Sequence, residues 1–450
     1  MTRKQNKRIE EYLTILQQEP ALYQVAKNQV FKETIDFTKA LYAAVFAPVL
    51  VCFVEWVLEE AKKKGIKRLY FLARDGYPMF LVAQQFSKSK QYGIECRYLY
   101  GSRYAWRMPQ FAMEGEACLD KICLGGMDVT FERVMKRGGL KNEEAIIVAK
   151  ELGFEKEYRK TLSYKEVMKL KQPLAKSNYF LPFVYEHSQK AYQDTIGYLK
   201  QEGLLDNVPY ALVDSGWVGS LQKTVQQLLC YAGCEKEIEG FYFGLYELPK
   251  GVKKETYHTY YFSPTTNIKK KVYFSNCLYE AVYSAPHGMT IGYEKKEQQY
   301  CPVFYKEHNL NQTQMKQMEV WLQDFLVEYQ KQVGTKKWSS NKKIVFLLLK
   351  KLMGKPIKEE VKAYGTLLFS DDVTEEQKKQ VAEILTEQEI KNQYLWNKML
   401  IMLGLKKEKL KESAWIEGSI VLSEKQMPWA VISIRWYKYL IYIRKWLKRG

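Results

Sequence analysis

Twice along the chain, a compact apolar run ends near an aspartate and is followed by a glycine-containing turn and a helical segment. The first copy is KRLYFLA, then RDGY, with Pro78 in the first turn of the next helix. The second copy is VPYALVD, then SGWVGS, then LQKTVQQLL, with Ser220 placed to cap the helix. Such a run bounded by a turn and a helix is typical of a buried parallel strand. Asp75 and Asp214 are therefore predicted at the carboxyl edge of one parallel sheet.

Further apolar runs extend this pattern, with helical stretches between them. ECRYLY, GFYFGLY and TYHTYYF have the length of strands, and 48–64 and 186–203 have helical spacing. Alternating strands and helices predict an α/β fold with a Rossmann-like doubly wound, mostly parallel sheet. We interpret 1–40 as a helical N-terminal segment and 41–304 as the α/β ligand-binding domain.

Beyond Cys301 the sequence changes character, becoming rich in Lys, Glu and Gln. We predict a helical C-terminal domain over 305–450, and the helical segments expected there are 311–333, 341–353, 374–388 and 389–412.

The net charge of the chain indicates the kind of partner, and its cysteines and apolar runs indicate the cellular compartment. The chain has 70 Lys and Arg against 51 Asp and Glu, a formal charge of +19, which favours an anionic partner. Its eight cysteines lack zinc spacing and are expected to be reduced thiols. The longest apolar run, 41–54, contains Pro48 and is shorter than the roughly 20 residues that a bilayer span needs. We expect a cytoplasmic protein with neither a signal peptide nor a membrane span.

The carboxyl edge of an open α/β sheet is where ligands bind, so Asp75 and Asp214 are the candidate catalytic and metal-binding residues. Two carboxylates there could hold Mg²⁺, which takes oxygen ligands and shares its coordination with phosphates. The loop after the second strand could add backbone N–H groups for an anion and an aromatic surface for a sugar or base. The candidate ligand-binding residues in this loop are Ser215, Gly216, Trp217, Gly219 and Ser220. The alternative is that Asp214 only caps the helix and that the glycines make a tight turn.

Arginines cluster on the loops after the first two strands. Arg74, Arg103 and Arg107 could form a phosphate clamp, with Ser102 as a further donor, since a guanidinium matches a phosphate with two hydrogen bonds. A solvated or ion-paired set of arginines is the alternative.

His287 lies between Pro286 and Gly288 in SAPHGM, a loop context rather than a helical one. It is a candidate acid or base, and a purely hydrogen-bonding role is the alternative.

The last helical segment is amphipathic. Residues 435–449 contain no acidic residue, and the apolar face and the basic face are separated. The apolar face comprises Trp436, Tyr439, Leu440, Ile443, Trp446 and Leu447. Such a helix suits an anionic inner membrane surface, which would make the protein peripheral there. The alternative is a terminal helix docked on its own domain.

Four strings, RLYFLARDGYPMFLVA, YLYGSRYAW, ALVDSGWVGSLQKTVQQLL and YEAVYSAPHGMTIGYE, together with FYFGLYE, carry a family resemblance. They resemble the region following the phosphatase domain in bacterial proteins described as predicted haloacid-dehalogenase-superfamily (HAD) hydrolases of surface-polysaccharide gene clusters. The resemblance covers roughly residues 40–300, with a weaker echo in WIEGS at 415–419.

The resemblance implies a magnesium-dependent hydrolase or transferase, with Asp75 as the second acid of an Asp-x-Asp-Gly motif. Ser102 then resembles the phosphate-binding hydroxyl residue and Asp214 the later metal-binding acid. The nucleophile position is occupied by Ala73, so no aspartyl-phosphate can form there.

Three functions remain open at this point. The leading hypothesis is a HAD-like protein of bacterial cell-surface polysaccharide biosynthesis that binds a phosphorylated sugar or nucleotide-sugar, alone or with a phosphatase partner. The second is a phosphoribosyltransferase-like enzyme, and the third is a non-catalytic membrane-associated scaffold for glycosyltransferases. Specific nucleic-acid binding is not expected, since the basic residues follow no recognisable module.

Overall fold

Five parallel strands form the central sheet of the computed structural model. The structure describes residues 1–31, 35–90, 92–125, 129–333, 340–370, 379–403, 405–408, 410–423 and 427–447. The strands are β1 (Arg68–Leu72), β2 (Glu95–Leu99), β3 (Tyr210–Trp217), β4 (Glu239–Leu245) and β5 (Tyr257–Phe262). Their order is β2-β1-β3-β4-β5, one of the two common orders of doubly wound sheets. The predicted α/β architecture and all five predicted strands are confirmed.

Both faces of the sheet are covered by helices, as the near-continuous apolar character of the strands requires. Side chains alternate between the faces along each strand. One face, with Leu69, Phe71, Ala211, Val213, Phe241 and Phe243, packs in the core that includes the helices Ala47–Lys63 and Gly76–Lys90. The other, with Tyr70, Leu72, Tyr210 and Leu212, packs with the helices Phe180–Gln201 and Ser220–Tyr231.

Helices account for most of the remaining described chain. The α-helices not yet named are Arg3–Leu16, Pro20–Val30, Phe37–Leu41, Arg103–Arg107, Phe111–Glu114, Leu119–Ile122, Phe131–Arg137, Asn142–Leu152, Tyr164–Lys169, Lys171–Lys176, Ile268–Val272, Asn276–Val282, Gln312–Val333, Lys342–Gly354, Lys358–Tyr364, Glu387–Asn392, Leu395–Met402, Ile416–Leu422 and Pro428–Leu447. A π-helical turn, Tyr42–Phe46, joins Phe37–Leu41 to Ala47–Lys63.

A helical insertion separates β2 from β3 and has its own hydrophobic cluster, which runs from Phe111 to Val184. An antiparallel hairpin, β6 (Thr290–Lys296) and β7 (Gln299–Phe304), packs on the last helix of the insertion, where the Tyr198 and Tyr293 rings stack at 4.2 Å between centroids. Neither the hairpin nor most of the insertion is predicted from the sequence, because their contacts join distant parts of the chain.

The N-terminal and C-terminal segments pack on the sheet through one shared core. Side chains from the helices Arg3–Leu16 and Gln312–Val333 belong to the same buried cluster as β1, β3 and β4. Arg8 Nε lies 2.7 Å from Glu360 Oε1 in a buried ion pair that links the two ends of the chain. The segments 1–40, 41–304 and 305–450 are therefore joined by extensive apolar and ionic contacts.

Two local predictions were wrong. The helix predicted over 374–388 is replaced, in its described part, by β9 (Lys379–Gln380), which pairs with β8 (Leu368–Phe369), and a helix begins only at Glu387. The residues 371–378 lie outside the described chain. The segment 389–412 contains two short helices and an irregular stretch instead of one long helix. A charged, helix-favouring composition did not reveal these breaks, because the new partners come from elsewhere in the fold.

Within the described ranges, the helical segment Phe37–Lys63 is long and apolar enough to cross a membrane, with mean hydropathy 2.1. Its apolar window is 94% buried by neighbouring elements, as expected for the core helix of a globular protein.

Candidate functional site at the carboxyl edge of the sheet

The two predicted aspartates meet where β1 and β3 lie side by side. Phe71 of β1 pairs with Val213 of β3, so Asp75 follows the end of β1 and Asp214 lies next to it on β3. The Ser215 hydroxyl donates a hydrogen bond to Asp75 Oδ2, and the Ser215 N–H donates to Asp214 Oδ1 at 2.9 Å. This is the switch point of the sheet, where the strand order reverses and doubly wound proteins bind ligands.

A third carboxyl group, that of Glu280, joins the aspartates from the helix Asn276–Val282. Glu280 Oε1 accepts a hydrogen bond from the Trp217 indole Nε1, and its carboxyl interacts electrostatically with both Asp75 and Asp214. Glu280 is not among the site residues predicted from the sequence. The available signal was a single acid in the otherwise apolar stretch LYEAVY, where an unpaired charge is costly to bury.

Burial raises the pKa of all three carboxyl groups. The pKa of Asp75 is raised to about 6 by desolvation, against the Ser215 hydrogen bond and the charges of Arg74 and Arg103. The pKa of Asp214 is raised to about 8 by desolvation and by the charge of Asp75. The pKa of Glu280 is also raised to about 8, first by desolvation and then by Asp75. At neutral pH Asp214 and Glu280 therefore retain their protons, whereas Asp75 is largely ionised; we call the three groups the acid cluster.

Two of the three predicted arginines, Arg74 and Arg103, lie beside these acids, and Arg107 lies near Arg103. Arg103 is exposed, and its charge lowers the pKa of each of the three carboxyl groups. Arg107 Nη2 lies 3.5 Å from Ser220 Oγ, and desolvation followed by the nearby Arg103 charge lowers the Arg107 pKa to about 10. Two guanidinium groups crowded in this way favour an anion between or beside them.

A small pocket of about 80 Å³ opens beside the acid cluster. Arg74, Asp75 and Glu280 line one side of the pocket. The other lining residues are Ala281, Ser284, Asn309, Leu310, Asn311, Leu368, Phe369 and Ser370. The pocket therefore combines charged groups of the sheet edge with amide and hydroxyl groups from the later part of the chain.

Tyr279, also missed from the sequence, adds a polar atom without a partner. Its side chain is fully buried, and its hydroxyl makes no hydrogen bond within the described part of the chain. Desolvation and the charges of Asp75 and Asp214 raise its pKa well above the usual range. An unpartnered hydroxyl beside two carboxyl groups can donate to a ligand oxygen without first breaking an internal hydrogen bond.

The structure changes what was predicted for two hydroxyl residues, Ser102 and Ser220. Ser102 caps the helix Arg103–Arg107, where its Oγ accepts from the Ala105 N–H at 3.0 Å and donates to the Thr290 carbonyl oxygen at 2.6 Å. Its only hydroxyl hydrogen is used inside the protein, so the prediction that Ser102 donates to a phosphate is corrected. Ser220 is the first residue of its helix and does not cap it; Gly219, with φ 68°, takes the capping position.

The loop predicted after Asp214 is shorter than expected, because β3 continues to Trp217. Gly216 has φ 128°, and a Cβ atom there would lie 2.0 Å from the Gly244 carbonyl oxygen. Glycine at this position is thus required by close approach to β4. Only Gly219 retains the role of turning the chain into a helix N-terminus, near Arg107.

Trp217 does not offer an open face for a sugar or base, which corrects that prediction. The ring is 5% exposed and packs against Phe262, Phe274 and Tyr279, with centroid distances between 5.2 and 6.2 Å. Its function is to position Glu280 through the indole N–H.

His287 lies near the site and is held by two hydrogen bonds. Nδ1 lies 2.8 Å from the Gly288 carbonyl oxygen, which can only accept, so Nδ1 carries the hydrogen and Nε2 accepts from the Tyr98 hydroxyl at 2.7 Å. Desolvation, followed by the nearby Arg74 charge, lowers the His287 pKa to about 4. His287 is therefore neutral at physiological pH, and its contacts match the hydrogen-bonding alternative.

The chemistry of the donors suits Mg²⁺, but the acids are not gathered as a three-ligand metal site. Within the described ranges, no group of three or more His, Cys, Asp or Glu side chains has a metal-binding arrangement. Mg²⁺ is commonly held by one or two carboxylates together with water and substrate phosphates. Asp75 and Asp214 would be the two carboxylates of such a site, and the remaining ligands would have to come from a phosphate and water.

Comparison of the sequence with protein-family models and with curated proteins finds no match.

Proposed function

We propose that this chain binds a phosphorylated sugar or a nucleotide-sugar, together with Mg²⁺, at its Rossmann-like switch point. The observation that carries the proposal is the acid cluster of Asp75, Asp214 and Glu280 with arginines on its border. The resemblance to the HAD-related proteins of surface-polysaccharide clusters supports the same ligand class, and we propose that the activity belongs to bacterial polysaccharide biosynthesis.

Charge balance supports a ligand that carries both a cation and phosphate. Three adjacent carboxyl groups in a desolvated site cannot all ionise without a compensating positive charge. A divalent cation between Asp75 and Asp214 would supply that charge and would neutralise phosphate oxygens. Arg74 and Arg103 could then pair with the remaining phosphate charge, and the Tyr279 hydroxyl could donate to a ligand oxygen.

The residues present favour acid and base chemistry over a covalent phosphoenzyme. Ala73 leaves the expected nucleophile position without a carboxylate. Asp75, with a pKa of about 6 and a hydrogen bond from Ser215, can take up or release a proton near neutral pH. We therefore propose a HAD-like hydrolase or transferase in which Asp75 and Asp214 hold the ligand together with its cation, and in which Asp75 exchanges a proton when no cation is bound.

Ligand binding tests the proposal directly. We expect Mg²⁺ with a sugar phosphate or nucleotide-sugar to raise the melting temperature of the purified chain, and phosphoribosyl diphosphate to have a smaller effect. Asp75→Asn and Asp214→Asn should abolish the stabilisation while the proteins stay folded, because the amide has the shape of the carboxyl but no charge.

Asp120→Asn is the matched control, since Asp120 is an exposed acid on the helical insertion that pairs with Lys171. Its ligand response should equal that of the wild-type chain. Stabilisation by phosphoribosyl diphosphate alone would favour the phosphoribosyltransferase-like function. If no ligand stabilises the wild-type chain, or if both site variants respond like the wild type, the proposal is wrong.

A further inference from the structure

The helix Pro428–Leu447 is docked on the protein by one side only. Ala430 and Ile434 are buried, and the Tyr442 ring stacks on Tyr246 with centroids 5.7 Å apart. Lys438 Nζ lies 2.7 Å from Glu417 Oε1, an acid that is itself buried. The helix is therefore a packed part of the fold, as one of the two sequence-based alternatives expected.

The opposite side of this helix exposes a stripe of large apolar residues. Trp429 is 73% exposed and Trp436 is 61% exposed, which puts them among the most exposed aromatic side chains of the described residues. The stripe comprises Trp429, Ile432, Trp436, Leu440, Ile443 and Leu447, spaced three or four residues apart, with Trp446 beside it. That spacing places the stripe along one side of the helix.

A second helix, Leu395–Met402, lies against the first and is also exposed on its apolar side. The Leu395 N–H donates to Ser433 Oγ at 2.8 Å, and the Tyr437 hydroxyl lies 3.2 Å from Met402 Sδ. The exposed residues here are Trp396, Met399, Met402, Leu403 and Leu405. We call the exposed apolar residues of 396–405 and 429–447 the two-helix surface.

Basic residues border this apolar area. Residues 428–447 include four basic residues and no acidic one. Of these four, Arg444 and Lys445 are exposed near the helix end. Lys407, which follows the second helix, is exposed as well. Tryptophans mixed with basic residues are typical of protein surfaces that rest in the headgroup region of an anionic bilayer.

We propose that the two-helix surface binds an anionic lipid bilayer. A second copy of this chain fits less well, because a two-fold interface along the helix Pro428–Leu447 would bring the basic residues of both copies together, and residues 428–447 contain no acid to balance them. In the bound state the exposed tryptophans enter the interface, while Lys407, Arg444 and Lys445 contact the lipid phosphates. This surface is remote from the acid cluster in sequence, and its lipid binding does not depend on the proposed ligand.

Vesicle flotation tests the proposal. The full chain should float with vesicles of phosphatidylcholine and phosphatidylglycerol and should bind weakly to phosphatidylcholine alone. Trp396→Ser combined with Trp436→Ser should lower binding roughly tenfold, since both side chains are exposed and their loss removes the inserted apolar area. Arg444→Gln with Lys445→Gln should also weaken binding and reduce its dependence on salt, because fewer charges face the phosphates.

The matched control is Tyr164→Ser with Tyr179→Ser, two aromatic residues that are exposed on the helical insertion. This control should bind vesicles like the wild-type chain, and all variants should show wild-type melting curves. Equal flotation of the tryptophan variant and the wild type would overturn the proposal, as would a wild type that does not float with anionic vesicles. A wild-type dimer in lipid-free solution that becomes monomeric in the tryptophan variant would assign the surface to a second copy instead.

Discussion

Replacement of Asp214 by asparagine should stabilise the ligand-free protein at high pH while it removes ligand binding. The native pKa of Asp214 is about 8 and its ordinary value is 3.8. Between these values the folded state holds a proton that the unfolded state has lost, so the wild-type free energy of unfolding falls as pH rises through this window. Asparagine cannot ionise, so the free energy of unfolding of the variant does not fall with pH for this reason.

The size of the effect follows from the pKa shift. Over about 4 pH units, at about 1.4 kcal/mol per unit, the upper bound is about 6 kcal/mol for an isolated group. Asp214 is coupled to Asp75 and Glu280, so part of the proton uptake is shared among the acid cluster. We therefore expect Asp214→Asn to be more stable than the wild type by about 2–3 kcal/mol at pH 8, allowing for this sharing.

Urea unfolding at a series of pH values measures this difference. The stabilisation should shrink as pH falls and vanish below about pH 4, where Asp214 is protonated in both states. Asp120→Asn, which removes an exposed acid, should show no such pH profile. A variant that is less stable than the wild type at pH 8, or a stability difference that does not change with pH, would refute the argument that Asp214 is buried at an electrostatic cost.

Three further predictions concern the surroundings of the site. Gly216→Ala should lower the free energy of unfolding by more than about 4 kcal/mol or prevent folding, because its Cβ would overlap the β4 backbone. As a control, Gly251→Ala, at φ 72° in open space, should lower it by only about 1–2 kcal/mol; urea unfolding measures both. Trp217→Phe should lower the free energy of unfolding by about 2–4 kcal/mol, because it removes packed indole area and leaves Glu280 Oε1 without its donor. A variant that melts at the wild-type temperature would contradict the packing role of the indole. The folded-state pKa of His287 lies below its ordinary value, so stability should be lost as pH falls from about 6.5 to about 4, and His287→Asn should flatten this part of the urea-derived pH profile.

The sequence alone determined the central sheet and the meeting of Asp75 and Asp214. Each strand is a short apolar run bounded by turns, a local pattern that burial on both faces of a parallel sheet imposes. Since the acids follow β1 and lie in β3, neighbouring parallel strands bring them to one edge without any further contact being specified. The amphipathic character of the last helix is likewise a local property of its residue spacing.

Only the tertiary structure decided which other groups join that site. Glu280 and Tyr279 reach the aspartates because their helix packs on the aromatic cluster around Trp217, Phe243 and Phe274. No local periodicity encodes that approach. The same packing encloses Trp217, which sequence context alone had suggested was available to a ligand.

Tertiary contacts also decided the roles of residues whose chemistry is ambiguous. The Ser102 hydroxyl can bind a phosphate or cap a helix, and the Thr290 carbonyl, far along the chain, takes its hydrogen. The last helix has more apolar surface than its domain covers, so docking through Ala430, Ile434 and Tyr442 left the tryptophan stripe exposed. The sequence specifies the donors, acceptors and apolar area of each side chain, but long-range packing determines which partners they contact.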